Sequence, residues 1–560
     1  MAKYSMRNLI KYISIVGISF FIFKCANQLP PPGGPVDKIP PQVLDVYPSD
    51  STLNFNDDHF EIEFSEYVEK LSLMDALFIS PEIKKLEYDW SGTSVEITFD
   101  DTLKENTTYT VSIGSGIQDL NNRNNMAQAV NFAFSTGPNI DVGKISGKVY
   151  DNDPNGIMIF AYMEKDSFDN PIITKPKNVS QVGENGEFQS LGLANGNFRV
   201  FAIKEENKNR LYNIGDDWYG VPYEDISLSD SSLVVGGLTF RLTKEDTIAP
   251  YISNVAMTDR NHILLEYSEN IDSAKINGDN FFIIDSVTQK VTHINYFFQP
   301  NKNKSEYFIT IADSFSQEGN YFVVAKNIFD NYGNESVIDS YQFTISSALD
   351  TLAPSFKKID TGFEQNKLDY LNPEFRLSFS DGINSENLSD VISITHKDKL
   401  FNFDVIRIDD AQFQIKILNT LKPEEKLELN IDNLKLWDTA ENKLDTVKTV
   451  EIETLSGREF SGVSGTIDLS QTDQKVEVVL EGIEKLNTKY YTSVMSDHSF
   501  EFERVLPGKY LIWCFFDKDS NGVFNYGSIN PFEYSERFYS YPDTLNLRAR
   551  WPVGDVNITN

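Results

Sequence analysis

The sequence predicts an all-β protein, a tandem array of about five β-sandwich domains that follows a signal peptide. Similar proline-containing junctions recur along the chain, spaced by about 100 residues or a multiple of that length, which is the size of one sandwich domain. A strand pattern of alternating apolar and polar residues follows each junction, and long amphipathic helical patterns are scarce. The 560 residues exceed a typical single domain several-fold, so several domains are expected.

The composition excludes several classes of function. The hydrophobic fraction of 40% and the charged fraction of 24% are typical of globular proteins. The net charge of −33 argues against nucleic acid as a partner and against docking on anionic lipid through a basic face, because both need clustered cations. Two cysteines and five histidines leave little from which to build a thiolate zinc site or a disulfide framework.

Residues 1–24 have the features of a signal peptide. Lys3, Arg7 and Lys11 precede an uncharged apolar run at 12–23. A helix of that length spans only about 18 Å, too short for a bilayer core of about 30 Å.

Cys25 directly follows the apolar run and resembles the lipidation site of bacterial lipoproteins, in which cleavage exposes the cysteine for acylation. Ile22 fits that pattern, whereas Lys24 stands where the family has a small residue. The alternative is a secreted or signal-anchored protein with an inert cysteine. Residues 25–40 are rich in Pro and Gly and predict an extended tether. Cys514 lies in an apolar run and is expected to be a buried, inert thiol.

Three junctions define the repeat: 37–41, 246–250 and 350–354. The strand after each one ends in Ser and an acidic residue, and further alternating strands follow in the first and third repeats. The alternation predicts one buried and one solvated face. The residues expected to be buried are Phe60, Ile62, Phe64, Val95, Ile97, Phe99, Ile263, Leu265, Tyr267, Phe375, Leu377, Phe379, Phe413, Ile415 and Ile417.

These repeats resemble the bacterial Ig-like domain of the SbsA type, known from S-layer and cell-surface proteins. The resemblance rests on the proline-containing junction, the strand that ends in Ser and an acid, and a late turn running from Asp to Asn. It implies Ig-like domains at 41–137, 250–347 and 354–455, and it implies no activity.

The other two units match each other, since 198–215 aligns without gaps on 510–527. Both resemble the transthyretin-like or carboxypeptidase-regulatory-like β-sandwich, which implies domains at 143–245 and 458–560. The whole order resembles the multidomain Ig-like lipoproteins of Bacteroidota and implies the outer membrane as destination. With the five domains in line, the chain would form a stalk.

One loop predicts a calcium site. Asp517, Asp519 and Asn521 place oxygen ligands at alternate positions before a glycine, as a hard cation needs. The flanking elements predict strands and Ser528 stands at the twelfth position, so the loop is no EF-hand; Asn525 or Glu533 would complete the site. The twin loop reads Glu205, Asn207 and Asn209, with Arg210 at the glycine position. The alternative is a polar hairpin whose side chains bond the backbone.

A second calcium hypothesis concerns the domain junctions. Asp37, Asp246 and Asp350 lie beside the linkers, and Glu66 and Glu269 are expected at the same pole of their domains. Calcium bound there would stiffen the chain. The alternative is that these aspartates cap turns and stay solvated.

Four aromatic residues outside the strand alternation are candidates for binding a glycan or a protein: Trp218, Tyr219, Phe532 and Tyr534, with the last two placed at the position matching the first two. The alternative is that these rings close the end of the sandwich.

No catalytic residue is predicted, because the histidines lack paired spacing and no nucleophile or phosphate-binding motif stands out. We expect a non-enzymatic cell-envelope lipoprotein, a scaffold or accessory subunit of an outer-membrane assembly or transport complex. Its expected partners are the outer membrane, through the lipid anchor, and outer-membrane proteins. The periplasmic and cell-surface faces both stay open. The alternative function is a surface glycan-binding lipoprotein.

Overall fold

The computed structural model describes residues 37–165, 167–300, 304–316, 319–384, 386, 388–444, 446–468, 474–483 and 488–559. The predicted signal peptide, Cys25 and most of the tether lie outside these residues. The chain divides into two compact units: the first contains residues up to Val142 with Asp153–Asn155 and Val179–Leu193, and the second contains the rest. Among the described residues, no helix has the length and apolarity needed to cross a membrane.

The first unit contains a two-sheet sandwich with one short helix. Its sheets have the orders β1-β2-β5-β4 and β3-β6-β7. The helix α1 (Lys70–Ala76) is capped by Glu69, whose carboxylate accepts the backbone N–H of Ser72, and buries Leu73 against the core. The strands are β1 (Val43–Tyr47), β2 (His59–Phe64), β3 (Leu77–Ser80), β4 (Leu86–Ser91), β5 (Ser94–Phe99), β6 (Thr108–Ile113) and β7 (Val130–Ser135).

Nine strands follow: β8 (Gly143–Tyr150), β9 (Ile157–Met163), β10 (Asn178–Gln181), β11 (Glu187–Leu193), β12 (Gly196–Lys204), β13 (Trp218–Gly220), β14 (Ile226–Leu228), β15 (Val234–Arg241) and β16 (Thr243–Lys244). Within the second unit, β9, β12, β13 and β16 lie side by side, β14 pairs with β12, and β8 pairs with β15 in parallel.

Residues 250–347 form two four-stranded sheets, β17-β18-β22-β21 and β20-β19-β23-β24. A 3₁₀ turn at Gly278–Asn280 precedes β19. The strands are β17 (Ile252–Met257), β18 (His262–Tyr267), β19 (Phe281–Asp285), β20 (Val291–His293), β21 (Phe297–Phe298), β22 (Glu306–Thr310), β23 (Tyr321–Phe329) and β24 (Glu335–Gln342).

Residues 354–455 form the sheets β25-β27-β31-β30 and β26-β33-β32-β28-β29. The short helix α2 (Leu388–Val391) and 3₁₀ turns at Glu364–Asn366 and Asn433–Lys435 lie in the connections. The strands are β25 (Phe356–Asp360), β26 (Lys367–Leu368), β27 (Glu374–Phe379), β28 (Ile392–His396), β29 (Lys399–Phe401), β30 (Phe403–Arg407), β31 (Gln412–Ile417), β32 (Lys426–Asp432) and β33 (Val447–Thr454).

The last sandwich repeats the pairing of residues 143–244. Its sheets are β37-β34-β41 and β36-β35-β38-β39, with β40 on β38 and a parallel pair of β34 and β41. The strands are β34 (Ser461–Ile467), β35 (Lys475–Gly482), β36 (Lys489–Ser493), β37 (Ser499–Val505), β38 (Gly508–Asp517), β39 (Phe538–Ser540), β40 (Leu545–Leu547) and β41 (Val553–Ile558).

The predicted all-β fold of tandem β-sandwiches is therefore confirmed, and so is the burial of the alternating residues. All fifteen apolar residues named above are at most 7% exposed. They are buried together because successive side chains of a strand point to opposite faces, so residues two apart share one face. Cys514 is fully buried, and burial raises the pKa of its thiol to about 12. The exact domain boundaries stay a prediction.

Candidate functional site

The predicted calcium loop begins where β38 ends, at Asp517. The Asp517 side chain is buried and accepts the backbone N–H groups of Asn521, at 3.0 Å, and Gly522, at 3.0 Å. Asp519 accepts the N–H and the side-chain amide of Asn521. The amide oxygens of Asn521 and Asn525 accept the backbone N–H groups of Val523 and Gly527. Both aspartates therefore lie at the start of the loop, while the amide oxygens of Asn521 and Asn525 accept hydrogen bonds from backbone groups of the turn.

Glu536 is the carboxylate that the sequence analysis missed. Its oxygens accept the backbone N–H groups of Lys518, at 2.7 Å, and Asn525, at 3.0 Å, so it lies under the loop. Asp517, Asp519 and Glu536 each offer an oxygen within 4.8 Å of the other two. Burial, together with the two aspartates, raises the pKa of Glu536. Glu533, expected as an alternative ligand, instead pairs through its backbone with Ser528.

The twin loop at Glu205 has the same course with different chemistry. Burial raises the pKa of Glu205, whose carboxylate accepts the N–H of Arg210 at 2.5 Å. Asp217 is fully buried, and one of its oxygens accepts both the backbone and the side-chain N–H of Asn213. An amide therefore satisfies the buried acid here.

The strand register shows which residues correspond in the two sandwiches. Ile203 pairs with Tyr219, and Phe515, aligned with Ile203, pairs with Phe538. Tyr219 therefore corresponds to Phe538. The predicted match of Phe532 and Tyr534 with Trp218 and Tyr219 is therefore wrong, because Phe532 and Tyr534 lie in a connection that is longer in the last sandwich than in residues 143–245.

That longer connection contacts residues 143–245 through a stacked arginine. The Arg199 guanidinium lies 3.5 Å from the ring centroid of Phe532 and 4.1 Å from that of Phe168. It donates two hydrogen bonds to Asp225, at 2.8 and 2.7 Å. The hydroxyl of Tyr534 donates to the same carboxylate at 2.6 Å. Phe532 and Tyr534 therefore contact other residues of the chain, while Tyr534 stays 40% exposed.

A second group extends this contact. The hydroxyl of Tyr219 donates to the carbonyl of Gly527 at 3.2 Å. The Arg241 guanidinium lies 3.9 Å from the Trp513 ring centroid and 3.4 Å from Glu481. Residues 143–245 thus contact residues 458–560 through side chains of the second unit. Of the four aromatic candidates, Trp218 is 43% exposed and lacks such a contact in the hydrogen bonds and ring pairs of the described residues.

The three junctions share a construction that explains the serine before each acid. Ser65, Ser268 and Ser380 each exchange two hydrogen bonds with the residue that follows the junction proline. Their side-chain oxygens accept a backbone N–H, at 2.9 to 3.2 Å, and their own N–H groups bind the carbonyl opposite. The linker is thereby fixed beside the acid that follows the serine.

The late turn brings a third acid to each junction. Asp119, Asp330 and Asp438 accept N–H groups of their own turns. An asparagine of the same turn donates to the carbonyl of the linker aspartate, at 2.9 to 3.5 Å. Each linker aspartate thus meets two further acids. The three groups are Asp37 with Glu66 and Asp119, Asp246 with Glu269 and Asp330, and Asp350 with Asp381 and Asp438.

These acids repel one another. Burial, then Asp119 and Asp37, raises the pKa of Glu66. Burial, then Asp246 and Asp330, raises the pKa of Glu269 to about 7. The expected grouping of acids at one pole of each domain is therefore present, although whether calcium binds there stays a prediction. The late turns were recognised in the sequence, but their aspartates were not expected in these groups because they lie far along the chain from the junctions.

The family comparison matches one domain of the chain, and the structure comparison finds several distantly similar proteins. Residues 37–136 match the family described as bacterial Ig-like domain. A search of curated proteins finds no match. One similar solved structure is the N-terminal part of the bacterial S-layer protein SbsC, with 14% identity and a TM-score of 0.16 over 37% of this chain and 44% of that one.

A second is SbsC domains 1–6, with 11% identity and a TM-score of 0.14 over 85% of this chain and 64% of that one. A third is BcpA, the major pilin subunit of Bacillus cereus, with 8% identity and a TM-score of 0.14 over 74% of this chain and 99% of that one. The chain thus spans less than two thirds of either SbsC structure. An Ig-like domain at residues 37–136 follows from the family match.

Proposed function

We propose that this chain is a non-enzymatic scaffold or accessory subunit of an outer-membrane assembly or transport complex, held at the membrane by a lipid on Cys25. The observation that carries this proposal is that specific side-chain contacts join the sandwiches of the second unit to one another. A protein whose polar and aromatic groups are used to fix its domains is suited to holding partners in place.

The contacts between the sandwiches are of a kind that fixes the relative position of the groups they join. Arg199 and Arg241 connect residues 143–245 with the last sandwich, as described above. Arg504 donates to Asp369 at 2.5 Å and lies 4.1 Å from the Phe460 ring centroid. Asp410 accepts the backbone N–H of Phe297 at 2.8 Å, which connects residues 250–347 with 354–455. Stacked and bidentate arginines fix both distance and orientation.

The same proposal covers the families to which the individual domains and the chain are assigned. Residues 143–245 and 458–560 are proposed as transthyretin-like or regulatory-like sandwiches, and the chain as an Ig-like lipoprotein of Bacteroidota. The matching parallel pairs β8 with β15 and β34 with β41 support common ancestry of the two units. Calcium at Asp517, Asp519 and Glu536 is a proposed accessory of the last sandwich.

The experiment is a mild-detergent pull-down of the C-terminally tagged full chain from membranes, read by mass spectrometry. Cys25→Ala removes the proposed anchor, and Cys514→Ala is the matched control because it removes the buried thiol instead. We expect outer-membrane proteins in fixed ratio with wild type and Cys514→Ala, and their loss with Cys25→Ala. Recovery of the chain alone, with Cys25→Ala still in the membrane fraction, would contradict the proposal.

The glycan-binding alternative is tested in parallel by affinity electrophoresis in polysaccharide gels. Trp218→Ala removes a ring that is 43% exposed, and Tyr534→Ala removes one that is 40% exposed and whose hydroxyl also binds Asp225. Under the scaffold proposal, wild type and both variants migrate alike with and without polysaccharide. Retardation of wild type that Trp218→Ala abolishes would favour the glycan-binding function instead.

A further inference from the structure

We propose that the third junction binds a calcium ion through the carboxylates of Asp350, Asp381 and Asp438. Each of these residues offers one oxygen, and the three oxygens lie within 4.8 Å of one another. Calcium takes oxygen ligands at 2.3–2.6 Å, so two oxygens on opposite sides of the ion are separated by about 4.8 Å. The group therefore has the right size for one ion, with water completing the coordination.

A buried carboxylate oxygen without a donor points to a ligand at this junction. The Asp350 side chain is only 5% exposed. Its Oδ1 accepts the N–H of Leu352 at 3.1 Å, whereas its Oδ2 is buried and accepts no hydrogen bond. A buried charged oxygen left without a partner is costly, and such atoms are rare in folded proteins. A cation coordinated by Oδ2 would satisfy it.

The nearby histidine does not satisfy Asp350. His262 Nδ1 lies 3.9 Å from Asp350 Oδ2, beyond hydrogen-bond range, and only 3.0 Å from both oxygens of Asp259. Its Nε2 lies 3.0 Å from both oxygens of Asp381. Burial would lower the pKa of His262, but the hydrogen bonds with Asp259 and Asp381 raise it to about 10. The imidazolium is therefore already shared by two other carboxylates.

The charge balance leaves room for a divalent cation. Four carboxylates surround one imidazolium, which leaves a surplus of negative charge when all are ionised. Burial and, to a smaller extent, the neighbouring carboxylates raise the pKa of Asp350 and of Asp438. A divalent ion would cancel most of the surplus without disturbing the His262 hydrogen bonds.

The donor set favours calcium over a transition metal. All three proposed ligands are carboxylate oxygens, which suit hard cations, and both ring nitrogens of His262 are already bonded to carboxylates. The same acidic arrangement recurs at Asp246, Glu269 and Asp330, where no histidine belongs to the group of possible ligands. The arrangement thus exists independently of a histidine partner.

The ion would join separate parts of the chain. Asp350 belongs to the linker, Asp381 follows β27, and Asp438 lies in the late turn. Through Asp381 the site also connects with His262 on β18 of the preceding sandwich. Calcium would therefore stabilise the position of residues 250–347 against residues 354–455.

The test is a calcium titration of the full-length protein in detergent after treatment with EDTA, followed by isothermal calorimetry. Asp350→Asn and Asp438→Asn keep the side-chain shape and remove one negative charge each. Asp404→Asn is the control, because Asp404 is exposed on β30 of the same sandwich. We expect each ligand variant to lose one calcium equivalent or to bind it at least tenfold more weakly, and the control to match wild type.

Thermal unfolding supplies a second readout, in which the direction of the change in unfolding temperature is predicted. Without calcium, Asp350→Asn should unfold at a higher temperature than wild type, because it removes a buried carboxylate that lacks a donor. Calcium should then raise the unfolding temperature of wild type more than that of the variant.

Terbium luminescence gives a third readout. Trp437→Phe keeps all ligands and should reduce terbium emission excited through the indole beside Asp438. Equal calcium stoichiometry and affinity in wild type and both ligand variants, or binding of zinc but not calcium, would overturn the proposal.

Discussion

The guanidinium of Arg199 lies 3.5 Å from the ring centroid of Phe532, although the two residues belong to different sandwiches. The Phe168 ring centroid lies 4.1 Å from the guanidinium, and Asp225 accepts hydrogen bonds from its Nε and from one terminal nitrogen. A stacked, bidentate arginine holds its partners in one orientation. This contact holds the strand that carries Arg199 against the last sandwich.

Arg199→Ala should destabilise this contact. The Arg199 side chain is 16% exposed and that of Asp225 is 23% exposed, so the substitution leaves a largely buried carboxylate without its cationic partner and with only the Tyr534 hydroxyl bonded to it. We expect a loss of about 2 kcal/mol, below the value for a fully buried pair. The measurement is differential scanning calorimetry of the full chain. The exposed Arg458→Ala serves as control, and equal midpoints for the two variants would show that the stack contributes nothing.

Gly465→Ala should disrupt the parallel pair of β34 and β41. A Cβ atom at Gly465 would lie 1.8 Å from the carbonyl oxygen of Val556, and a backbone atom cannot move aside. We expect a loss of at least about 3 kcal/mol. Gly554→Ala is the matched control in the same pair, since its Cβ would meet Ser464 Oγ at 3.7 Å, an ordinary contact.

The yield of folded, protease-resistant protein distinguishes the two glycine variants. Gly554→Ala should resemble wild type, while Gly465→Ala should be cleaved within residues 458–560. Similar resistance of both variants would mean that the close approach of β34 and β41 is not required for folding of the last sandwich.

The strands could be predicted from local sequence patterns, whereas the contacts between sandwiches could not. The burial of Phe60, Ile62 and Phe64 follows from alternation along a single strand, which needs no knowledge of the partner. Arg199 and Phe532 meet because two surfaces far apart in sequence pack together. No local pattern carries that information.

The predicted calcium loop shows the same limit. Asp517 and Asp519 were found because they lie in one loop with regular spacing. Glu536 was missed because the longer connection that contains Phe532 and Tyr534 separates it from the loop, and the hydrogen bonds that return it there involve backbone groups of Lys518 and Asn525. Spacing alone could not reveal this acid.

Calcium binding at that loop is tested by Asp519→Asn. Because Asp519 is one of the three carboxylates that meet there, removing its charge should weaken calcium binding about tenfold. Terbium emission excited through Trp513, close to the loop in sequence, measures the binding. Asp543→Asn, exposed in the same sandwich, is the control. Unchanged terbium affinity in Asp519→Asn would favour the polar hairpin.

Glu269 should make stability depend on pH. Its folded-state pKa of about 7 exceeds the usual value of about 4.3 for an unfolded chain, so the folded state binds the proton more tightly. The resulting stabilisation is complete below about pH 4.3 and is lost as pH rises through 7.

Glu269→Gln should therefore unfold at a higher temperature than wild type at pH 8, and the difference should shrink towards pH 4.5. Thermal unfolding in EDTA at pH 4.5, 6 and 8 gives this comparison. Glu335→Gln, exposed on β24, is the control. A difference between Glu269→Gln and wild type that does not change with pH would contradict the raised pKa.

The proposed function is tested most directly by cross-linking mass spectrometry on intact cells that carry the tagged full chain. We expect abundant cross-links between this protein and one or a few outer-membrane proteins, and their disappearance in Cys25→Ala cells at equal protein level. Cross-links confined to the chain itself, identical in wild-type and Cys25→Ala cells, would contradict a role as an anchored scaffold or accessory subunit.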